Sequence, residues 1–229
     1  MEWFKSKNDI SIKQAININK CSAISIILGE TELVMFDQLE KLIRNEITLS
    51  PELWKRLQSV GTEISIKKNH YLLKQGEVCH HGYFLNKGSL IQLFQHENGK
   101  EIVLGFYIDH VYSFISSPRS YFTGTGSTFE IKALEDCTLI AFHKDNLEGM
   151  SQEFPEFSIF YHHITANALH NMYLFSAMRL SLSAEDFFIY LMNNNPAFLQ
   201  RIPDKYIARF IGVSDEWLSK VKKKIIRNQ

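Results

Sequence analysis

The chain of 229 residues is 45% apolar and 22% charged, and its 25 basic and 25 acidic side chains cancel. That composition excludes a disordered chain and suits one large or two small folded domains. No apolar run approaches the ~20 residues that cross a bilayer, and no small-residue cleavage site follows the short run at 23–28, so a cytoplasmic protein without a membrane partner is expected.

Residues 1–34 show partial alternation in Ile10, Ile12, Ile16, Ile18, Ile24 and Ile26. A strand, an amphipathic extension and disorder all fit, so 1–34 is set aside as an N-terminal extension of unassigned structure. From Met35 the pattern sharpens. Phe36, Leu39, Leu42 and Ile43 fall at helical spacing. Ser50-Pro51 then reads as an N-cap with proline at the first helical position, and Leu53, Trp54, Leu57 and Val60 form one face.

Between residues 61 and 142 the period shortens. Strands are expected at 63–66, 71–74, 83–86, 90–96, 101–107, 129–133 and 138–142, with Gly76, Gly88 and Asn98-Gly99 between them. Asn-Gly between apolar runs is a strong hairpin signal, and evenly spaced short strands point to an antiparallel barrel or jelly roll.

Helix returns at 144–149 and then over about 155–180, where Phe157, Phe160, Tyr161, Ile164, Ala168, Met172, Phe175 and Met178 recur every three or four residues. So long an apolar stripe needs a partner, either its own domain or the same helix of a second subunit. A homodimer through Phe157, Phe160, Ile164, Ala168, Met172 and Phe175 is the expectation. A helix over 184–192, with Phe187, Phe188 and Leu191 buried, should end at Asn193-Asn194-Asn195-Pro196.

Residues 202–224 carry the functional signal. Pro203 suits a first helical turn, Ala208 permits close crossing, Gly212 permits the positive φ that ends a helix, and Ser214 can cap the next. Ile207, Phe210, Ile211, Val213, Leu218 and Val221 would hold two helices at a fixed angle, as in a helix-turn-helix. The outer face of the second helix offers Ser214, Asp215, Glu216, Ser219, Lys220 and Lys223 to double-stranded DNA. From Arg201 onward, Arg201, Lys205, Arg209, Lys220, Lys222, Lys223, Lys224 and Arg227 face only Asp204, Asp215 and Glu216, so the tail carries an excess of about five positive charges where phosphates would lie.

Other chemistry finds little support. Cys21, Cys79 and Cys137 are odd in number and far apart, with no CxxC spacing. Neighbouring histidines in Cys79-His80-His81 and His162-His163 point in different directions, so no metal site is expected. There is no GxSxG, no P-loop and no positioned acid–base pair, so no enzyme is expected.

The order helices, β-roll, long helix, helix-turn-helix resembles the Crp/Fnr family of bacterial regulators over about residues 35–229. Its most specific pieces are Tyr83-Phe84-Leu85-Asn86-Lys87-Gly88, Asn98-Gly99-Lys100-Glu101, Ala133-Leu134-Glu135-Asp136, and Ile207 to Gly212 with Leu218 to Lys223. The resemblance implies an α+β fold: an antiparallel β-roll of the double-stranded β-helix or jelly-roll type, a long dimerisation helix, and a C-terminal helix-turn-helix domain. The corresponding boundaries are 35–150 for a cyclic-nucleotide-binding-like sensor, 151–182 for the dimerisation helix and 183–229 for the DNA-binding domain. It also implies a small-molecule effector of unknown identity, RNA polymerase as a further partner, and half-sites about one helical turn (roughly 34 Å) apart. Met35 would make a natural start.

Three departures qualify that picture. Nucleotide-binding members carry Gly-Glu and then Arg with Ser or Thr, whereas 113–128 here has no Gly-Glu and has Ser127-Thr128 where Arg-Ser would stand. Without that guanidinium a cyclic phosphate loses its bidentate partner, so cyclic nucleotide is not expected and no cofactor is assigned. Ser113, Arg119, Gly126, Ser127 and Thr128 remain the effector-pocket candidates, in a stretch read as a flexible loop whose Gly124–Ser127 backbone can form an anion nest. Asp215 and Trp217 replace the more usual Pro, Arg or Thr, and the sequence stops at Gln229 without a β-hairpin wing. Two rivals follow: a β-roll sensor or interaction protein with a degraded reading head, and a cupin-like metal enzyme with His and Glu ligands converging inside the roll.

Overall fold

Ser50 and Pro51 act as their spacing suggests. In the computed structural model, which describes residues 35–227 except Tyr112 and Asn195, the Leu53 backbone N–H donates to Ser50 Oγ at 3.3 Å and Pro51 opens α2 (Pro51–Val60). Leu53 and Leu57 of α2 and Leu39 and Ile43 of α1 (Asp37–Glu46) are all buried. Phe36 meets the edge of Trp54 at 5.8 Å between ring centroids, fastening the two helices together. The extension 1–34 lies outside the described residues.

The β-roll consists of β1 (Gly61–Ile66), β2 (Tyr71–Leu73), β3 (His81–Lys87), β4 (Ser89–Gln95), β5 (Glu101–Ile108), β6 (Phe114–Ile115), β7 (Glu130–Ala133) and β8 (Cys137–His143). They form two four-stranded antiparallel sheets, ordered β1-β8-β3-β6 and β2-β7-β4-β5. The Asn98-Gly99 signal marks the β4–β5 turn: Gly99 has φ +81°, its N–H donates to the His96 carbonyl at 2.8 Å, and Lys100 N–H donates to Asn98 Oδ1 at 3.0 Å. Gly88 sits at φ +117° against Cys137, where an added Cβ would lie 2.4 Å from Sγ, so β3 and β4 can turn there only around glycine.

Two hydrophobic clusters follow from the alternation. The roll interior holds Leu73, Phe84, Leu90, Ile131, Ala133, Leu139 and Ile140 together with residues of α1 and α2. The opposite face of the β4–β5 hairpin holds Ile91, Leu93, Val103, Phe106 and Ile108. Val103 and Phe106 are three residues apart, so regular alternation would put them on opposite faces. A bulge leaves Leu104 without a Cα partner between the Leu93–Val103 and Gln92–Gly105 pairs and brings both to one side.

After α4 (Lys144–Glu153) comes the long helix α5 (Pro155–Ser181), 27 residues in all. Phe157 and Phe160 enter the roll-interior cluster and Met178 the second cluster, so α5 spans both. The chain continues through α6 (Ala184–Asn194), α7 (Pro196–Arg201), α8 (Asp204–Ile211) and α9 (Asp215–Arg227). This is the expected α+β order of antiparallel roll, long helix and C-terminal helices.

Three short elements were not expected. β6 has two residues, too few for a periodic signal. Helix α3 (Pro118–Thr123) replaces part of the expected flexible loop and ends on Gly124 at φ +68°. Pro196, read as a helix stop, also begins α7, because a proline that ends one helix suits the first position of the next.

Candidate nucleic-acid interface and effector region

Helices α8 and α9 meet through a turn built around Gly212. With φ +91°, Gly212 closes α8 by donating its N–H to the Ala208 carbonyl at 2.8 Å, and Val213 N–H reaches the same oxygen at 2.9 Å. Ser214 Oγ then accepts the Trp217 N–H at 3.2 Å and caps α9. Ile207, Ala208, Phe210, Leu218 and Val221 are buried between the helices, and Trp217 lies half-buried against the same cluster. The bulky Trp217 therefore serves as packing beneath the turn.

The six residues expected to face DNA fall together. Ser214, Asp215, Glu216, Ser219, Lys220 and Lys223 are all exposed along one side of α9. A backbone N–H at the helix N-terminus holds the Glu216 carboxyl below its ordinary range, helped by the Ser214 hydroxyl and the Lys220 charge. Glu216 is thus an ionised, acceptor-only group at neutral pH. Neither Lys220 nor Lys223 forms an ion pair with a carboxylate among the described residues.

Other cations of this region are engaged. Lys222 pairs with Asp204, and Lys224 with Glu185 at 2.7 Å. Two guanidinium groups reach the roll. Arg209 Nη1 lies 2.5 Å from Glu101 Oε1. Arg201 lies 2.7 Å from Asp109 and 2.5 Å from Glu135. Asp109 also accepts the Gly88 N–H at 2.7 Å and is 8% exposed. Its hydrogen bonds, then those of Glu135, push the Arg201 guanidinium above its ordinary range against the opposing effect of burial. These contacts join residues 66, 92 and 108 positions apart, which no local pattern reveals.

The expected effector stretch is closed upon itself. Ser117, Ser120 and Ser127 are only 1–3% exposed. Ser127 Oγ lies 2.9 Å from Ser117 Oγ and 2.7 Å from the Phe129 carbonyl. Ser120 Oγ accepts the Cys79 N–H at 2.8 Å and donates to the Thr125 carbonyl at 2.6 Å. The backbone is paired as well: Gly76 N–H donates to the Ser127 carbonyl at 2.7 Å, and Ser127 N–H to the Glu77 carbonyl at 2.8 Å. An added Cβ at Gly126 would stand 2.7 Å from the Gly76 carbonyl oxygen.

The flexible-loop expectation is corrected here, and so is the anion nest, because Ser127 N–H already has a partner. Of the five pocket candidates, Ser113 and Ser127 are buried while Arg119, Gly126 and Thr128 are exposed. Arg119 lies on the surface of α3 and no charged group joins the buried serines from it. Nearby, burial first, then Cys79 and Glu77, pushes the Tyr83 phenol up to about 12.

Histidines converge at one end of the roll from two strands. His81 meets the edge of His143 at 5.2 Å, and His80 stacks on His143 at 6.4 Å. Among the described residues no group of three or more His, Cys, Asp or Glu side chains stands where it could hold a metal ion.

Along α5 the expected dimer residues divide. Phe157 and Phe160 are each 2% exposed in the protomer's own core, where Phe160 meets Phe114 at 5.6 Å, so these two are corrected from interface to core. Ile164 and Phe175 are half-buried and pack inward, whereas Ala168 and Met172 are exposed. A second apolar line, missed in the sequence, faces outward: Ile159, Ala166, Tyr173 and Leu180 stand seven residues apart, with Leu169 between them. The stronger three-to-four spacing on the inward face masked this heptad.

The cyclic nucleotide-binding domain family matches residues 63–154, the roll and the following helix. No curated protein sequence matches the chain. Solved structures share the architecture. FixK2 from Bradyrhizobium japonicum is 14% identical with TM-score 0.62, the alignment covering 74% of this chain and 86% of that one. The c-di-GMP-responsive global regulator CLP of Xanthomonas campestris is 15% identical with TM-score 0.60, covering 78% and 93%. A protein from Eubacterium rectale assigned to the Crp/Fnr family of transcriptional regulators is 13% identical with TM-score 0.59, covering 85% and 88%. The domain match and these likenesses show a cyclic nucleotide-binding-type roll followed by a long helix and C-terminal helices; no helix among the described residues is long and apolar enough to cross a membrane.

Proposed function

We propose that this chain, a cyclic nucleotide-binding-type roll within the Crp/Fnr fold, is a non-enzymatic transcription regulator that binds double-stranded DNA as a homodimer. The observation that carries the reading is α9. Its buried side is fixed by Leu218 and Val221, and its outer side presents Ser214, Asp215, Glu216, Ser219, Lys220 and Lys223 without covering groups. Carboxylates at the first turn accept from cytosine N4 or adenine N6, and lysines further along meet guanine or phosphate.

The dimer reading rests on the outward heptad of α5, since seven-residue apolar spacing forms a seam between two parallel helices. A two-fold dimer would then read a pseudo-palindromic site with half-sites about one helical turn apart. The roll's effector is a small molecule other than a cyclic nucleotide, because where an arginine would be needed Ser117 and Ser127 pair with each other and Ser120 with the backbone of Cys79 and Thr125. RNA polymerase is the remaining proposed partner, and the cytoplasm the proposed location.

Selection from a random duplex library at ~50 mM salt, followed by a mobility shift, tests the reading. Enrichment of a two-fold site with steep salt dependence is expected; no enriched sequence would overturn DNA binding. A second reading, a sensor without DNA binding, is favoured by exposed Asp215, which repels phosphate. Unchanged cellular function after charge reversal at Lys220 and Lys223 would select it.

A further inference from the structure

Helix α8 rests on β5, and the contact is both apolar and charged. Phe106 of β5 meets the edges of Phe198 and Phe210 at 4.7 and 5.5 Å between ring centroids. Phe210 also packs near Phe187 at 6.0 Å and Phe175 at 6.2 Å. This aromatic cluster sets α8 and α9 on the outer face of the β4–β5 hairpin, and acidic groups of the roll surround it. Glu101 takes Arg209, while Asp109 and Glu135 share Arg201.

A guanidinium fork matches carboxylate and phosphate oxygens with the same geometry, so a carboxylate at Arg209 fills the position a phosphate would take. Arg209 lies on the first helix of the pair, the helix that crosses the DNA backbone in this motif. The reading face of α9 stays open in this arrangement. What the roll withholds is therefore a flanking backbone contact.

We infer that the roll is an acidic counter-surface that competes with DNA phosphate for the reading head: Glu101 occupies Arg209 directly, and Asp109 with Glu135 fastens Arg201 so that the head stays beside Glu101. This rests on the DNA-binding reading above and adds a regulatory element to it. The two parts differ in strength. The Arg209 and Glu101 side chains are 48% and 27% exposed and can exchange partners, whereas the side chain of Asp109 is 10% exposed and tied to the roll backbone through Gly88. Arg201 is the pin, and Arg209 is the group in contention.

The test compares the full-length wild type with Glu101→Gln, Glu101→Gln/Glu135→Gln, Arg209→Gln and Glu101→Gln/Arg209→Gln, using a duplex selected by the wild type. Thermal melting first establishes that each variant is folded. Glu101→Gln should bind several-fold more tightly at ~0.15 M salt and steepen the slope of log K against log salt by about 1.8 for the dimer, about 0.9 for the phosphate contact added by each protomer. Adding Glu135→Gln should increase the gain, and Arg209→Gln should abolish it.

An equal gain in the Arg209→Gln background would show only bulk repulsion between Glu101 and DNA and would overturn the inference. Unchanged affinity and slope in folded Glu101→Gln would overturn it too, while leaving DNA binding intact. If the wild type selects no duplex at all, the DNA-binding reading fails and the competition falls with it.

Discussion

The stretch from Ser113 to Thr128 and the first turns of α9 are both polar, yet they treat their polar groups in opposite ways. In the former, three serines are almost fully buried and bond to one another or to nearby backbone. In the latter, two carboxylates, two hydroxyls and two ammonium groups face solvent along one side of a helix whose other side is fixed in apolar packing. Buried polar groups must be paired, because leaving one unmade costs about 1–3 kcal/mol. The closed stretch has therefore become part of the scaffold, while α9 keeps its charges available to a partner.

Reversing the charges of α9 should give the largest effect. Lys220→Glu/Lys223→Glu places four reversed charges in a dimer, and DNA affinity should fall on the order of a thousandfold with a shallower salt slope. Both lysines are exposed, so the melting temperature should hardly move. A mobility shift with the selected duplex measures the first effect and calorimetry the second. Unaltered affinity would mean that α9 is as inert toward DNA as the serine stretch.

The outward line of α5 is an apolar counterpart of the open reading face. Leu169→Asp/Tyr173→Asp alters side chains that are 47% and 64% exposed in the protomer, so the monomer should keep its fold. Light scattering should report a monomer, and affinity for a two-half-site duplex should drop about a hundredfold through lost avidity. A dimer that persists would place the subunit contact elsewhere.

On the closed side, Ser127→Ala should destabilise the protein by about 1–2 kcal/mol, because Ser117 and the Phe129 backbone lose their buried partner. Affinity for DNA should stay the same. Cyclic nucleotide at ~1 mM should not raise the melting temperature, whereas a ligand with a Kd a thousandfold lower would add about 4 kcal/mol. A clear rise would mean that the serine stretch opens and would erase its contrast with α9.

How far these contrasts could be read in the sequence depends on how local their causes are. Ser50-Pro51, Asn98-Gly99 and Gly212-Val213-Ser214 act through hydrogen bonds within a few residues, and the structure places a helix start, a hairpin and an interhelical turn there. The outward side of α9 was legible because helical periodicity sorts its residues. The closing of 113–128 was hidden, since Ser127 pairs with the backbone of Gly76 and Glu77 some fifty residues away. The α5 stripe was half legible: periodicity found an apolar face, but only packing shows that Phe157 and Phe160 belong to the roll's own core. Arg201, Arg209 and their carboxylates were visible only as tail charge until the fold brought Asp109, Glu135 and Glu101 to them.

The histidines at the end of β3 and β8 give the smallest expected effect. Burial first, then the neighbouring His143 and His80, lowers the His81 imidazole below its ordinary value of about 6.5. A depressed histidine favours the folded state while neutral, so its contribution is complete above about pH 6.5 and is lost as pH falls from there through the lower folded value. Melting should therefore weaken more between pH 7.5 and 5.5 in the wild type than in His81→Gln, the difference isolating His81 from the carboxylates that titrate lower. Equal slopes would show that the imidazole cluster is as solvent-screened as the open face of α9.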